Sequence, residues 1–172
     1  MPWVIVGDFN EPLSSADKLG GRDVSIRRSL LLKDCLDRCN MIDLGFSGSR
    51  FTWANRRDAH ILIQERIDRF FVNSSWCTLY PEAKVSHLTR CHSDHCRFFW
   101  KPVLLCGLSL MCLLSSRASG FQTLPFLGLS SKLGVKVLTS RVPFLNFLGM
   151  LQNGIKSILV ISLQKREGLW LG

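Results

Sequence analysis

Apolar positions come in short runs separated by clusters of turn-forming residues. Trp3 to Val6 is a continuous apolar run closed by Gly7. That pattern fits a buried strand whose C-terminal end delivers Asp8 and Asn10 into a loop. Residues 11 to 23 hold Pro12, two serines and Gly20-Gly21, a loop composition. From Ile26 the apolar positions Leu30, Leu31, Cys35, Leu36 and Cys39 recur at threes and fours. The spacing predicts an amphipathic helix over 26–40, capped by Ser25, with Arg27, Arg28, Lys33, Asp34, Asp37 and Arg38 on its other face. Gly45 to Ser49 marks a turn before a short aromatic strand, Phe51-Thr52-Trp53, and Asn55 to Asp58 marks another turn. Ile61 to Ile63 and Ile67 to Val72 then predict two hairpin-connected strands, and Val85 to Leu88 a further one. Strands interleaved with helix place the chain in the mixed α/β (α+β) class.

Composition narrows the class. At 172 residues with 47% apolar and 20% charged residues, the chain has the size of one domain, or one domain with an added segment. The apolar run from Pro102 to Leu114 falls short of the ~20 residues a bilayer span needs, so no membrane association is expected. The net charge of +9 is unevenly spread. Residues 1–96 carry 13 Lys and Arg against 12 Asp and Glu, whereas residues 97–172 carry 9 against Glu167 alone. The basicity is therefore a property of the last 76 residues, which lack the charge pairing of an amphipathic face. Seven cysteines at 35, 39, 77, 91, 96, 106 and 112 follow no disulfide framework, and reduced thiols are expected.

The candidate chemistry lies at the ends of the apolar runs: Asp8 with Asn10, Asp68 within Arg66-Ile67-Asp68-Arg69, and Asp94 with His95. Carboxylates, an amide and an imidazole brought together can hold a hard cation, position a water and stabilise charge on a phosphate. Cys91, His92, His95 and Cys96 raise a structural zinc site as a rival. Four ligands within six residues do not readily wrap one tetrahedral ion, and no second paired-cysteine motif completes the set.

The order of these groups carries a resemblance. Trp-Val-Ile-Val-Gly-Asp-Phe-Asn-Glu (3–11), Phe-Thr-Trp (51–53), Glu-Arg-Ile-Asp-Arg-Phe-Phe-Val (65–72), a turn from Trp76 to Pro81 and His-Leu-Thr-Arg-Cys-His-Ser-Asp-His-Cys (87–96) follow one another. The set resembles the endonuclease/exonuclease/phosphatase superfamily, closest to the endonuclease domain of plant LINE-type retrotransposons, over about residues 2–97. The resemblance implies a four-layer α/β/β/α sandwich of which residues 1–97 form the C-terminal half. It also implies Mg²⁺-dependent hydrolysis of phosphodiester bonds in DNA, with a nuclear setting by family analogy. On that basis Asp8 aligns or deprotonates the attacking water and Asn10 stabilises the phosphate or its metal. Asp94 contributes to the metal environment, and His95 faces the phosphoryl oxygens, oriented and kept cationic by Asp68. Trp53 and Arg66 lie near the DNA-facing rim.

Two departures shape the expectation. The family's early Asn and its chief metal-binding Glu precede the aspartate strand, and none of Glu11, Glu65 or Glu82 occupies the corresponding place. The implied hydrolytic activity is accordingly expected to be impaired, the alternative being an inactive retroelement remnant or a nonspecific nucleic-acid binder. Past Cys96 the family pattern stops, and residues 98–172 are expected to be an unassigned tail, frameshifted or poorly ordered, with an incompletely covered half sandwich prone to aggregation.

Overall fold

The computed structural model describes residues 2–90, 93–101, 112–117, 120–123, 135–138 and 157–163, and the side chains of those up to residue 100. In chain order the strands are β1 (Trp3–Asp8), β2 (Lys18–Leu19), β3 (Met41–Asp43), β4 (Ser47–Gly48), β5 (Trp53–Ala54), β6 (Gln64–Glu65) and β7 (Asp68–Asn73). They continue with β8 (Lys84–His87), β9 (Arg97–Lys101), β10 (Cys112–Arg117), β11 (Gly120–Thr123), β12 (Val135–Leu138) and β13 (Ser157–Leu163). The helices are α1 (Ile26–Arg38) and α2 (Ser74–Leu79).

The apolar runs explain the layering. β1 pairs antiparallel with β7, Val4 opposite Val72, Ile5 opposite Phe71 and Val6 opposite Phe70. Because side chains alternate along a strand, Val4, Val6, Phe70 and Val72 enter one apolar cluster while Ile5 and Phe71 enter another. The second cluster is closed by Leu32, Cys35 and Leu36 of α1. The first is closed by Val85 of β8 and by Phe98 and Trp100 of β9, so a second sheet packs on that face. Trp76 of α2 stacks on Trp100 with ring centroids 5.5 Å apart. The described layers are thus helix, sheet and sheet, a mixed α and β fold.

Each main sheet is built round three strands and extended by later ones, in the orders β12-β13-β1-β7-β3 and β11-β10-β9-β8-β4. The chain therefore runs on through residue 97 as strand: β9 begins at Arg97, and Phe98 and Trp100 are 0% and 2% exposed. β13 pairs antiparallel along the whole length of β1, from Trp3 opposite Ser162 to Asp8 opposite Ser157. A third, small sheet, β2-β6-β5, closes the end where β1 and β7 deliver their aspartates.

Several local expectations are corrected. On α1 the buried stripe is Ser29, Leu32, Cys35 and Leu36, while Leu30 and Leu31 are 57% and 53% exposed. At about 100° per residue three consecutive leucines cannot share one face, and Ser29 is accommodated because its hydroxyl donates to the Pro12 carbonyl at 2.7 Å. Ser25 holds the N-cap position without a side-chain cap. The strand expected at Ile61 to Ile63 is a 3₁₀ turn at Ala59–Ile61, and the turn expected from Trp76 to Pro81 begins inside α2, whose N-cap Asn73 accepts from the Trp76 N–H at 3.0 Å. Gly20, with φ +77°, lets the preceding loop approach the Leu62 carbonyl where a Cβ would clash.

Candidate active site

The register of β1 and β7 places the two carboxylates. Gly7 lies opposite Arg69 and Asp8 opposite Asp68, so the pair that closes the ladder is two aspartates facing one another. Both are buried, at 2% and 1% exposure. By strand parity they lie on the same face as Val6 and Phe70, toward the second sheet. Beyond Asp8 the chain turns sharply: Asn10 adopts φ +49°, a left-handed conformation that Asn tolerates better than most residues, and its N–H donates to Asp8 Oδ1 at 2.9 Å. That turn fixes the Asp8 carboxylate and places Asn10 directly beside it.

The imidazole of His95 completes the group. Its Nδ1 lies 2.9 Å from Asp68 Oδ2 and its Nε2 lies 4.0 Å from Asp8 Oδ2. Its side chain is 12% exposed. Burial alone would lower its pKa, but the hydrogen bond to Asp68 and the negative charges of Asp68, Asp8 and Asp94 outweigh it and hold the imidazole above its usual range. Asp94, the preceding residue, is exposed and accepts the indole N–H of Trp53 at 3.0 Å. Burial pushes its carboxyl up, and the Trp53 hydrogen bond and the His95 charge bring it below the ordinary value. The backbone supports the arrangement, since Ala54 N–H donates to the Asp94 carbonyl at 3.0 Å and Trp53 forms a β-bridge with His95.

The structure thus gathers Asp8, Asn10, Asp68, Asp94 and His95, with Trp53 against Asp94. It places Arg66 elsewhere. The Arg66 guanidinium binds both oxygens of Asp43 at 2.9 and 2.8 Å and lies over the ring of Phe46. Arg69 joins Asp17 at 2.8 Å and Asp43 at 2.7 Å, so two arginines and two aspartates form a largely buried network beneath the site. Burial foremost, then the neighbouring Arg69 charge, lowers the pKa of Arg66.

Two features were not read from the sequence. Thr52 is fully buried, and its Oγ1 accepts the N–H groups of both Ile67 and Asp68 at 3.1 Å. A groove of about 650 Å³ runs from Trp53 and Asp94 over Asn55, Arg56, Arg57 and Ile63. The Arg56-Arg57 pair was visible only as part of a turn, whereas the contacts of Thr52 depend on residues fifteen and sixteen positions away.

A divalent ion needs several oxygen donors that are not already engaged. Glu11 is taken by Arg28 at 2.6 Å and Glu65 by Lys18 at 2.5 Å. Asp68 Oδ2 is held by His95, although its Oδ1 is buried without a hydrogen-bond partner. Among the described residues no three His, Cys, Asp or Glu side chains converge as metal ligands. These residues do not by themselves complete a magnesium site. Of the zinc constellation, Cys91 and His92 lie outside the described residues, while Cys96 is buried in the core and His95 is engaged by Asp68. The described cysteines 35, 39, 77 and 96 are free thiols. Among the described residues no helix is long and apolar enough to cross a membrane.

No family model matches the chain, and neither a curated protein nor a solved structure matches it.

Proposed function

We propose that this chain carries the acid–base half of a phosphodiesterase site of the endonuclease/exonuclease/phosphatase type, acting on DNA. One observation carries the reading: His95 Nδ1 rests on Asp68 while Nε2 faces Asp8 across 4.0 Å. A cationic imidazole tethered at one nitrogen presents the N–H of the other to an incoming phosphoryl oxygen, where negative charge grows in the transition state. Asp8 takes the proton of the attacking water as its oxygen bonds to phosphorus, and the bond from phosphorus to the leaving oxygen breaks. On this reading the Asn10 amide donates to a phosphoryl oxygen. The groove bearing Arg56 and Arg57 leads away from Asp94 and suits a polyanionic backbone.

The four-layer sandwich belongs to this proposal: helix, sheet and sheet supply three of its layers, and a helical layer on the outer face of the second sheet would supply the fourth. Mg²⁺ dependence belongs to it as well, with ligands beyond those the described residues offer. That incomplete donor set favours a second reading, in which the chain binds nucleic acid without turnover. Plasmid nicking with and without Mg²⁺ separates the two. The hydrolytic reading expects nicking by the intact chain that is abolished by His95→Ala and by Asp8→Ala. Retention of plasmid without nicking supports the binding-only reading, and nicking unaffected by both substitutions refutes the assigned site.

A further inference from the structure

We propose that the dipeptide Thr52-Trp53 is the positioning element of this site, Thr52 setting Asp68 from below and Trp53 setting Asp94 from above, with His95 held between them. The catalytic consequence rests on the phosphodiesterase reading, but the geometry does not.

Thr52 meets three backbone groups around the start of β7, the Glu65 carbonyl and the Ile67 and Asp68 N–H groups. Its N–H donates to the Glu65 carbonyl at 2.9 Å, and its carbonyl accepts the Cys96 N–H at 2.7 Å. Its hydroxyl oxygen has two acceptor lone pairs, and they meet the N–H groups of Ile67 and Asp68, each at 3.1 Å. Buried backbone donors need partners, and here a single side chain supplies both where the chain leaves β6 and enters β7. The position of Asp68, the first residue of β7, therefore depends on the Thr52 hydroxyl. A methyl group in its place would leave two buried N–H groups to find new partners by moving the backbone that bears the carboxylate.

Trp53 acts on the other partner. Side chains alternate along an extended dipeptide, so the indole projects away from the Thr52 hydroxyl. Its N–H reaches Asp94 Oδ2 at 3.0 Å, the next backbone N–H holds the Asp94 carbonyl at 3.0 Å, and a β-bridge ties Trp53 to His95 itself. Two adjacent residues thus fix the carboxylate under the imidazole and the loop that carries it. Thr52 is 0% exposed and cannot meet a substrate, so it is a positioning residue and not a catalytic one.

The test uses the full chain as wild type and as Thr52→Ser, Thr52→Val and Trp53→Phe. Proton NMR without substrate reads the downfield His95 Nδ1–H resonance expected for an imidazole bound to a carboxylate, and carbon NMR reads the Asp94 side-chain carboxyl. Thr52→Ser should preserve the His95 resonance, and Thr52→Val should lose or displace it. Trp53→Phe should displace the Asp94 carboxyl signal. In plasmid nicking, Thr52→Val should lower kcat by about tenfold to a hundredfold with KM little changed, the pattern of a misplaced reacting group, with Thr52→Ser restoring it. A folded Thr52→Val with an unchanged His95 resonance overturns the proposal. Should Thr52→Val not fold, an unchanged Asp94 signal in Trp53→Phe overturns it instead. If the wild type nicks nothing, the phosphodiesterase reading fails alone and the resonances still decide the positioning role.

Discussion

Asp8 and Asp68 are a cross-strand pair, both essentially buried, at the last rung of the β1–β7 ladder. Like charges directly opposite each other in a sheet repel, and burial makes an uncompensated charge costlier still. His95 relieves this, with one nitrogen at 2.9 Å from Asp68 and the other at 4.0 Å from Asp8. When protonated, the imidazole is a stabilising countercharge to both carboxylates as well as a chemical group.

The first prediction concerns pH and stability. The folded pKa of His95 lies above the ordinary 6.5, so the folded state binds its proton more tightly than the unfolded chain does. Its contribution is then fully present below about pH 6.5 and is lost as pH rises through the elevated folded value. Urea unfolding of wild type and His95→Gln should differ by about 1.5 to 3 kcal/mol near pH 6, the scale of a charge-assisted hydrogen bond. The difference should shrink steadily above neutrality. A gap that is constant or widens with pH refutes the assignment of His95 as a buried cation.

Asp68→Asn tests the tether itself. The amide keeps the shape of the carboxylate but removes the charge that holds His95 protonated. Nicking should fall by about 10²- to 10⁴-fold, the range associated with losing an acid–base group. The alkaline limit of the pH–rate profile should also move toward neutral pH, because the imidazole loses its proton sooner. An unchanged alkaline limit in a folded Asp68→Asn protein would show that Asp68 does not set the protonation of His95.

What could be read from the sequence divides along the range of the interactions. β1, β7 and most of α1 were legible because apolar run length and periodicity are local. The gathering of Asp8, Asp68 and His95 was expected only through the ordered motifs, since no periodicity predicts that a residue at 95 rests on one at 68. The buried face of α1 differs from the expected one because the triple leucine supports more than one stripe, and a hydroxyl-to-carbonyl contact with Pro12 decides in favour of Ser29. The sequence of α2 reads as a turn because six residues are too few to show a period, although Asn73 ahead of it is a recognisable cap. Arg66 stands two positions before Asp68 in the link between β6 and β7, where strand alternation does not set its direction, and its side chain is drawn to Asp43 and Asp17.

Arg66 and the groove arginines should accordingly behave differently. Removing Arg66 breaks a network in which its side chain is 11% exposed. Arg66→Ala should cost about 3 to 5 kcal/mol of unfolding free energy, the loss seen when one partner of a buried pair is removed. The salt dependence of DNA binding should be unchanged. Arg56 and Arg57 are exposed beside the groove, and Arg57→Ala should leave stability nearly unaltered. It should instead lower the slope of log affinity against log salt by about 0.9, the value for one lost phosphate contact on duplex DNA. Binding titrations at several salt concentrations, paired with thermal melts, read both effects. A reduced slope for Arg66→Ala without a stability loss would reverse the two roles.

The last prediction bears on where the folded unit ends. The sequence motifs stop near residue 97, but the apolar core does not: Phe98 meets Phe70 with centroids 5.7 Å apart, and Trp100 stacks on Trp76. Their strand, β9, lies between β8 and β10 in the second sheet. A chain ending at residue 97 would lose both rings and one of the two strands that flank β8, opening the face of β1 and β7 that carries Val4, Val6, Phe70 and Val72. Replacing one such aromatic by Ala costs about 3 to 5 kcal/mol, comparable with the whole stability of a domain of this size, about 5 to 15 kcal/mol. Removal of both should therefore abolish cooperative unfolding. Full-length Trp100→Ala should retain a transition with a lowered midpoint. The comparison is made by circular dichroism melts of the two proteins beside the wild type. A sharp melt of the chain ending at 97, at the wild-type midpoint, would show that β9 is dispensable and that the structural unit closes where the sequence motifs do.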